Sequence, residues 1–236
     1  MLIAIISEIA AMRSMTKRQD FLKALNVPSS SRHSCNTTKI IIKMKFCQHC
    51  ASLLSHRIPE GDDKLRFCCD VCDTIFYQNP NNVVGTLPIF EDKVLLCQRG
   101  IEPRKGKWTL PAGFMENGES TLQGAIRETY EEACVQVDTD DSSLYTLFNL
   151  PKINQVYLFF RASLKLPNFS PGLESLDVKL FDEEKIPWEE IAFPVVRATL
   201  KHYFEDRKTL NFPVRMFDVD YQKDQGVRID LISRSR

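Results

Sequence analysis

Apolar residues recur at two different spacings along this chain, and the spacing decides what each stretch becomes. "NVVGTLPIF" (82–90) and "KVLLCQRG" (93–100) are short runs rich in Val and Leu, joined by a tight "EDK" turn, and read as paired strands. "KWTLPAGF" (107–114) reads as an extended segment broken by a Pro–Gly loop. "SLYTLFNL" (143–150), "NQVYLFFRASL" (154–164) and "LDVKLF" (176–181) predict further strands. Helical spacing appears twice. Ser120 is a good N-cap, and Gln123 stands where a capping box needs Glu or Gln, so a helix begins there. "VVRATLKHYFEDR" (195–207) is amphipathic, with Val196, Leu200 and Phe204 on one face.

The two ends look different. Residues 1–43 have weak periodicity and a Ser-rich stretch, "NVPSSSRHSCNTT", and read as a disordered or spurious extension. They hold seven Lys/Arg against two acids, in a chain whose 31 basic and 31 acidic residues balance. Two explanations stay open: translation from Met44, or an organelle-targeting presequence, which Glu8 and Asp20 count against. After about residue 212 the chain is polar with few packing signals, so 213–236 is expected to be a C-terminal tail. The intervening chain divides into a cysteine-bearing module, 44–80, and a larger domain, 81–212.

Zero net charge argues against binding nucleic acid by broad electrostatics. No apolar run reaches the roughly 18 residues of a membrane span. Eight Cys without a secretory signal suggest thiols in a reducing, cytoplasmic setting. Cys47, Cys50, Cys69 and Cys72 form C-x2-C-x18-C-x2-C, a spacing suited to tetrahedral zinc with four thiolates and no open position, and so to a structural role. Cys68 competes with Cys69, but would make a C-x3-C pair. A module this small cannot fold on its own core, so the metal would hold it together. Cys97, in an apolar strand, is expected in the core; Cys35 and Cys134 carry no redox signal.

Glu128, Glu131 and Glu132 stand at i, i+3 and i+4, on one face of the helix that starts at Ser120. Carboxylates ~4 Å apart repel by about 4 kcal/mol per pair at an effective dielectric of 20. Surface ion pairs return only tenths of that. A hard divalent cation reverses the sign. On the triplet alone, a solvated acidic face is an equal alternative.

Gly113, Glu119, Arg127, Glu128, Glu131 and Glu132 resemble the Nudix box, GX5EX7REUXEEXGU, where U is bulky and aliphatic. Thr129 replaces the first U, Cys134 replaces the last Gly, and Val135 fits the final U. "FCQHC", "IPEGDDKLRFCCDVC", "FYQNP", "IEPRKGKWTLPAGFMENGE" and "ESLDVKLFDEEKIPWEEIAFP" are similar to the zinc-ribbon branch of that family, over about residues 45–215.

The resemblance implies an α/β/α sandwich with a mixed sheet, preceded by a small zinc ribbon. It implies cleavage of nucleoside–diphosphate–X compounds, here dinucleotides such as FAD, ADP-ribose or NADH. A motif of the "SQPWPFP" type, which marks NADH and NAD-capped-RNA pyrophosphatases, is not seen. By position, Glu128, Glu131 and Glu132 should hold Mg²⁺ or Mn²⁺. Arg127 should orient them, Gly113 should let the backbone approach the metal, and Glu119 should be a supporting acid, through water. Family members often add a downstream acid: Glu174 is the candidate, with Asp177 and Glu183 behind it. Arg104 and Trp108 are candidates to grip phosphate and stack on a base, with Lys105 and Lys107 nearby; Trp108 fits a core position equally well. The partner expected is a small nucleotide, with a second copy of the chain as the other candidate. A catalytically silent sensor or interaction module is the alternative function, but silent versions should lose box carboxylates, and all are present.

Overall fold

The structure, a computed structural model, describes residues 44–222 and 226–235. The expectations for residues 1–43, and Cys35 with them, lie outside the described residues. The chain divides into two compact units with a boundary between Phe76 and Tyr77.

The first unit is a three-stranded antiparallel sheet of β1 (Leu54–Arg57), β2 (Arg66–Cys69) and β3 (Ile75–Phe76), in that order. Each CxxC lies in a tight turn. Ala51 N–H donates to Cys47 O at 2.9 Å, and Cys69 N–H donates to Thr74 O at 2.9 Å. Ala51 and Asp73, just beyond each pair, take positive φ of 59° and 54° to turn the chain back.

The second unit is a nine-stranded mixed sheet. Its strands are β4 (Asn81–Phe90), β5 (Lys93–Arg99), β6 (Trp108–Thr109), β7 (Ala112–Phe114), β8 (Ser143–Leu150), β9 (Gln155–Ser163), β10 (Ser175–Phe181), β11 (Arg215–Gln222) and β12 (Gly226–Arg234). The main order is β10-β5-β4-β9-β8-β11-β12, with β6 on β5 and β7 on β4. The β4–β9 and β8–β11 pairs are parallel and the rest antiparallel. The extended 107–114 segment is thus two short strands separated by Leu110 and Pro111.

Helices cover both faces, which is why β4 reads as a continuous apolar run and is buried from Val83 to Ile89. Helix α1 (Thr121–Ala133) packs Ala125 against Val84 and Phe160. Helix α2 (Pro194–Asp206) packs Val196, Leu200 and Phe204 against Leu87, Phe148, Phe159 and Phe217 on the opposite side. No helix among the described residues is long and apolar enough to cross a membrane.

Residues 213–236 differ from the expected tail: they supply β11 and β12. The signal is period-two alternation, Phe217, Val219 and Tyr221 against Asp218 and Asp220, which overall polarity hides. β11 joins β8 in register Phe217↔Phe148, and Phe217 and Val219 are 3% and 2% exposed. Arg215 anchors the strand's start, with hydrogen bonds of 2.5 and 2.7 Å to the Asp206 carboxylate at the end of α2.

Candidate active site

Helix α1 is fixed at both ends. Gln123 N–H donates to Ser120 Oγ at 3.3 Å and Ser120 N–H donates to Gln123 Oε1 at 2.8 Å, the reciprocal box that the sequence suggests. Cys134 takes the left-handed C-cap position, φ 50° and ψ 33°, and its N–H donates to Tyr130 O. A residue other than glycine therefore ends this helix without losing the turn. Thr129, in place of the first bulky aliphatic residue, packs through its hydroxyl. Its hydroxyl is fully buried, 2.6 Å from Thr86 Oγ1 on β4, and donates to Ala125 O at 2.7 Å. A pair of hydroxyls replaces an aliphatic contact between helix and sheet.

Arg127 gathers the acids. Its Nε and Nη2 donate to the two Glu119 oxygens at 3.0 and 2.8 Å. Its Nη1 donates to Glu128 Oε1 at 2.7 Å and Glu131 Oε2 at 3.1 Å, and Nη2 also reaches Phe114 O on β7 at 3.1 Å. Glu119 is thus a direct, two-point partner of Arg127. It also accepts the Glu116 N–H at 2.7 Å. Its hydrogen bonds with Arg127 and then Glu116 hold its carboxyl down at about 2.

Glu128 and Glu132 are held against their preference. Glu132 is 9% exposed, and burial first, then the neighbouring Glu128, pushes its carboxyl up to about 8, against the Ala112 N–H and Arg99. Burial also raises Glu128, with Arg127 opposing and Glu131 and Glu174 adding. Such a group of half-desolvated acids suits a cation. Gly113 leaves room for them: a Cβ there would push the Glu128 carboxylate from its place.

Glu128, Glu131, Glu132 and Glu174 line a cleft of about 750 Å³ with Gly113, Phe114, Tyr130 and Leu173. The loop carrying Glu174 is pinned to the end of α1. Ser170 N–H donates to Ala133 O at 3.0 Å and Gly172 N–H to Glu132 O at 3.0 Å. Gly100 N–H then holds Glu174 O at 2.6 Å. Gly172, absent from the sequence expectations, lies so close to Glu131 O that a Cβ has no room. The one signal for it is a Gly in a Pro-rich loop just before a candidate acid.

The remaining candidates lie elsewhere. Trp108 is 7% exposed in the main core, edge-on to Phe181 at 4.9 Å, and is not among the cleft residues. Its β6 position sets the ring against β10, with Lys179 over its face. Arg104 is exposed in the turn before β6, with φ 65°, outside the cleft; Lys105 and Lys107 share that turn. Asp177 pairs with Lys179. Glu183 pairs with Arg207 at 2.8 Å and lines a different cavity. Cys97 is buried in β5, 1% exposed.

In the small unit, the sulfurs of Cys47, Cys50, Cys69 and Cys72 all lie within 4.8 Å of one another. Cys47–Cys72 and Cys50–Cys69 are 3.6 and 3.4 Å apart. Tetrahedral zinc with ~2.3 Å bonds spaces its sulfurs by roughly 3.8 Å, so the four fit the ion. Cys68 points to the other face of β2, 3.8 Å from Arg66 O, which resolves the competition with Cys69.

The NUDIX domain profile matches residues 80–205. The chain belongs to the Nudix family. A second profile, the Nudix N-terminal zinc ribbon, matches residues 45–78, the part that contains the four-cysteine zinc site. A Nudix hydrolase crystal structure from Nitrosomonas europaea superposes with a TM-score of 0.70 at 50% identity, covering 74% of this chain and 99% of that one. An uncharacterised Nudix hydrolase of Bacillus subtilis is 47% identical over 47 residues, 20% of this chain and 28% of that protein. An NAD-capped RNA hydrolase of Chromobacterium violaceum is 24% identical over 159 residues, 67% of this chain and 57% of that protein. The matches therefore span well under two-thirds of these two relatives' lengths. In this Nudix unit, the box runs from Gly113 on β7 through the turn and all of α1 to Val135, and Arg127 is its hub.

Proposed function

We propose that the chain is a metal-dependent pyrophosphohydrolase that cleaves the diphosphate of nucleoside-diphosphate-linked compounds of dinucleotide type, giving AMP and a second monophosphate. One observation carries this: Glu128, Glu131, Glu132 and Glu174 converge on a single cleft whose deepest carboxylate, Glu132, is desolvated. Those four would hold Mg²⁺ or Mn²⁺. When bound, the ion polarises the scissile phosphoryl group and favours ionisation of the attacking water.

The chain's own residues do the positioning. Arg127 fixes the Glu128 and Glu131 carboxylates without reaching substrate, because all its donors that point to the site are taken by acids and by Phe114 O. Gly113 keeps the floor of the cleft open beside Glu128. Phe114 and Tyr130, both more than half exposed at the rim, offer faces for a flat ring. A cleft of about 750 Å³ is within the ~300–1,000 Å³ common for small-molecule sites.

FAD and ADP-ribose stand ahead of NADH, on the resemblance and on the missing "SQPWPFP"-type motif. NAD-type substrates are the second reading, favoured by the names of the Chromobacterium and Edwardsiella ictaluri relatives, both NAD-capped RNA hydrolases. A hydrolysis screen of FAD, ADP-ribose, NADH and dinucleoside polyphosphates with Mg²⁺ and Mn²⁺ tests the proposal. Higher catalytic efficiency on a mononucleoside triphosphate than on any of these rejects the dinucleotide class. No hydrolysis of any diphosphate leaves the silent-sensor alternative.

A further inference from the structure

The last strand of the sheet is self-complementary. Among the described residues, β11 is the strand that pairs with β12, and β12 ends the sheet. Its two faces differ. Val227, Ile229 and Leu231 stand opposite Tyr221, Val219 and Phe217, continuing the apolar face that α2 covers farther in. Val227 is 37% and Leu231 52% exposed, so this face is unfinished at the edge. On the other face Arg228 and Asp230 stand opposite Asp220 and Asp218, and pair with each other at 2.8 Å with both side chains exposed.

We propose that β12 is a dimerisation edge, at which a second copy of this chain pairs antiparallel about a twofold axis through Ile229. Residues directly opposite in an antiparallel pair share a face and interact. With the axis at Ile229, Val227 meets the partner's Leu231 and Ile229 meets the partner's Ile229, all apolar and on one face. On the other face Arg228 meets the partner's Asp230, and Asp230 meets the partner's Arg228. Neighbouring registers lack this match. An axis at Asp230 sets two aspartates against each other, an axis at Leu231 sets Arg228 against Arg234, and an axis at Arg228 opposes two arginines. Isolated edges are usually blunted by charge; here the charges select one register instead of forbidding all. The bulge at Ile232, which has no opposite residue between Phe217↔Leu231 and Met216↔Ser233, limits the flat stretch to the residues around Ile229.

Sedimentation equilibrium on the full chain, with Arg228→Asp, Asp230→Arg and the double variant, tests this. Wild type should have twice the chain mass at tens of micromolar. Each single reversal puts like charges at both symmetric positions and should weaken dimerisation by about tenfold or more, while the double variant restores it. Ile229→Cys should give a covalent dimer on mild oxidation, a readout that holds even if a charge variant folds poorly. A monomeric wild type, a dimer indifferent to Arg228→Asp, or a double variant as weak as the singles in folded protein overturns the proposal.

Discussion

Arg127 clasps Glu119 through two parallel hydrogen bonds of 3.0 and 2.8 Å, and the nitrogen left over reaches Glu128 and Glu131. One guanidinium thus ties the turn before α1 to two of the acids on the helix. Replacing Arg127 by Gln should lower kcat by ~10–100-fold, the usual effect of losing the partner that orients a ligand side chain. KM should change far less, because the N–H groups of Arg127 are already committed to Glu119, Glu128, Glu131 and Phe114 O. Steady-state kinetics on the preferred diphosphate checks this; a change confined to KM would place Arg127 on the substrate instead.

Glu131→Gln and Glu132→Gln should each reduce turnover by orders of magnitude in folded protein. They should part in stability. Glu132 is buried beside Glu128 and repelled by it, whereas the Glu131 side chain is 55% exposed. Glu132→Gln should therefore raise the Tm of metal-free protein, and Glu131→Gln should leave it nearly unchanged. Near-normal turnover in a folded Glu132→Gln protein would remove this face from the mechanism.

Native-purified protein should carry about one zinc per chain. Cys69→Ser should lose it, and Cys68→Ser should keep it, since only the Cys69 sulfur joins the cluster. Elemental analysis of the two variants decides between the adjacent cysteines. Chelation should unfold residues 45–76, because this small sheet has little core to hold it without the ion.

Asp206 gives a pH test. Burial alone would raise its carboxyl, but hydrogen bonds from Arg215 and Tyr145 outweigh burial and hold it below the ordinary range. A carboxyl with a depressed folded pKa contributes stability that is complete above the unfolded value of about 4 and lost as pH falls through the folded one. Asp206→Asn should cost about 3 kcal/mol at neutral pH, since it strands a buried Arg215. Its Tm should then fall less than the wild type's between pH 6 and pH 3. Thermal melts across that window measure both.

Helix α1 was legible because its information is local. Ser120 and Gln123 fix its start, and the three glutamates share a face by spacing alone. What escaped depends on other parts of the chain. Glu119 meets Arg127 directly because the turn before the helix folds back over it. Trp108, which fits core and cleft equally by sequence, lies in the core because β6 pairs with β5 there. The strands of 215–234 alternate correctly, but their polar faces dilute the apolar signal until β8 supplies the other half of the pairing. Gly172 matters only because a helix end lies against it.

That contact also bears on how the cleft tolerates change. Backbone bonds at Ser170, Gly172 and Glu174 stitch this segment to Ala133, Glu132 and Gly100, while the Leu173 side chain stands wholly in solvent. At residue 173, though not at Gly172 or Glu174, the segment is therefore exchangeable in side chain but not in length. A library that varies residue 173 keeps the acid in place and samples new rims for the cleft. A single insertion or deletion between 170 and 174 should drag Glu174 out of step with the helix and take its carboxylate out of the cleft.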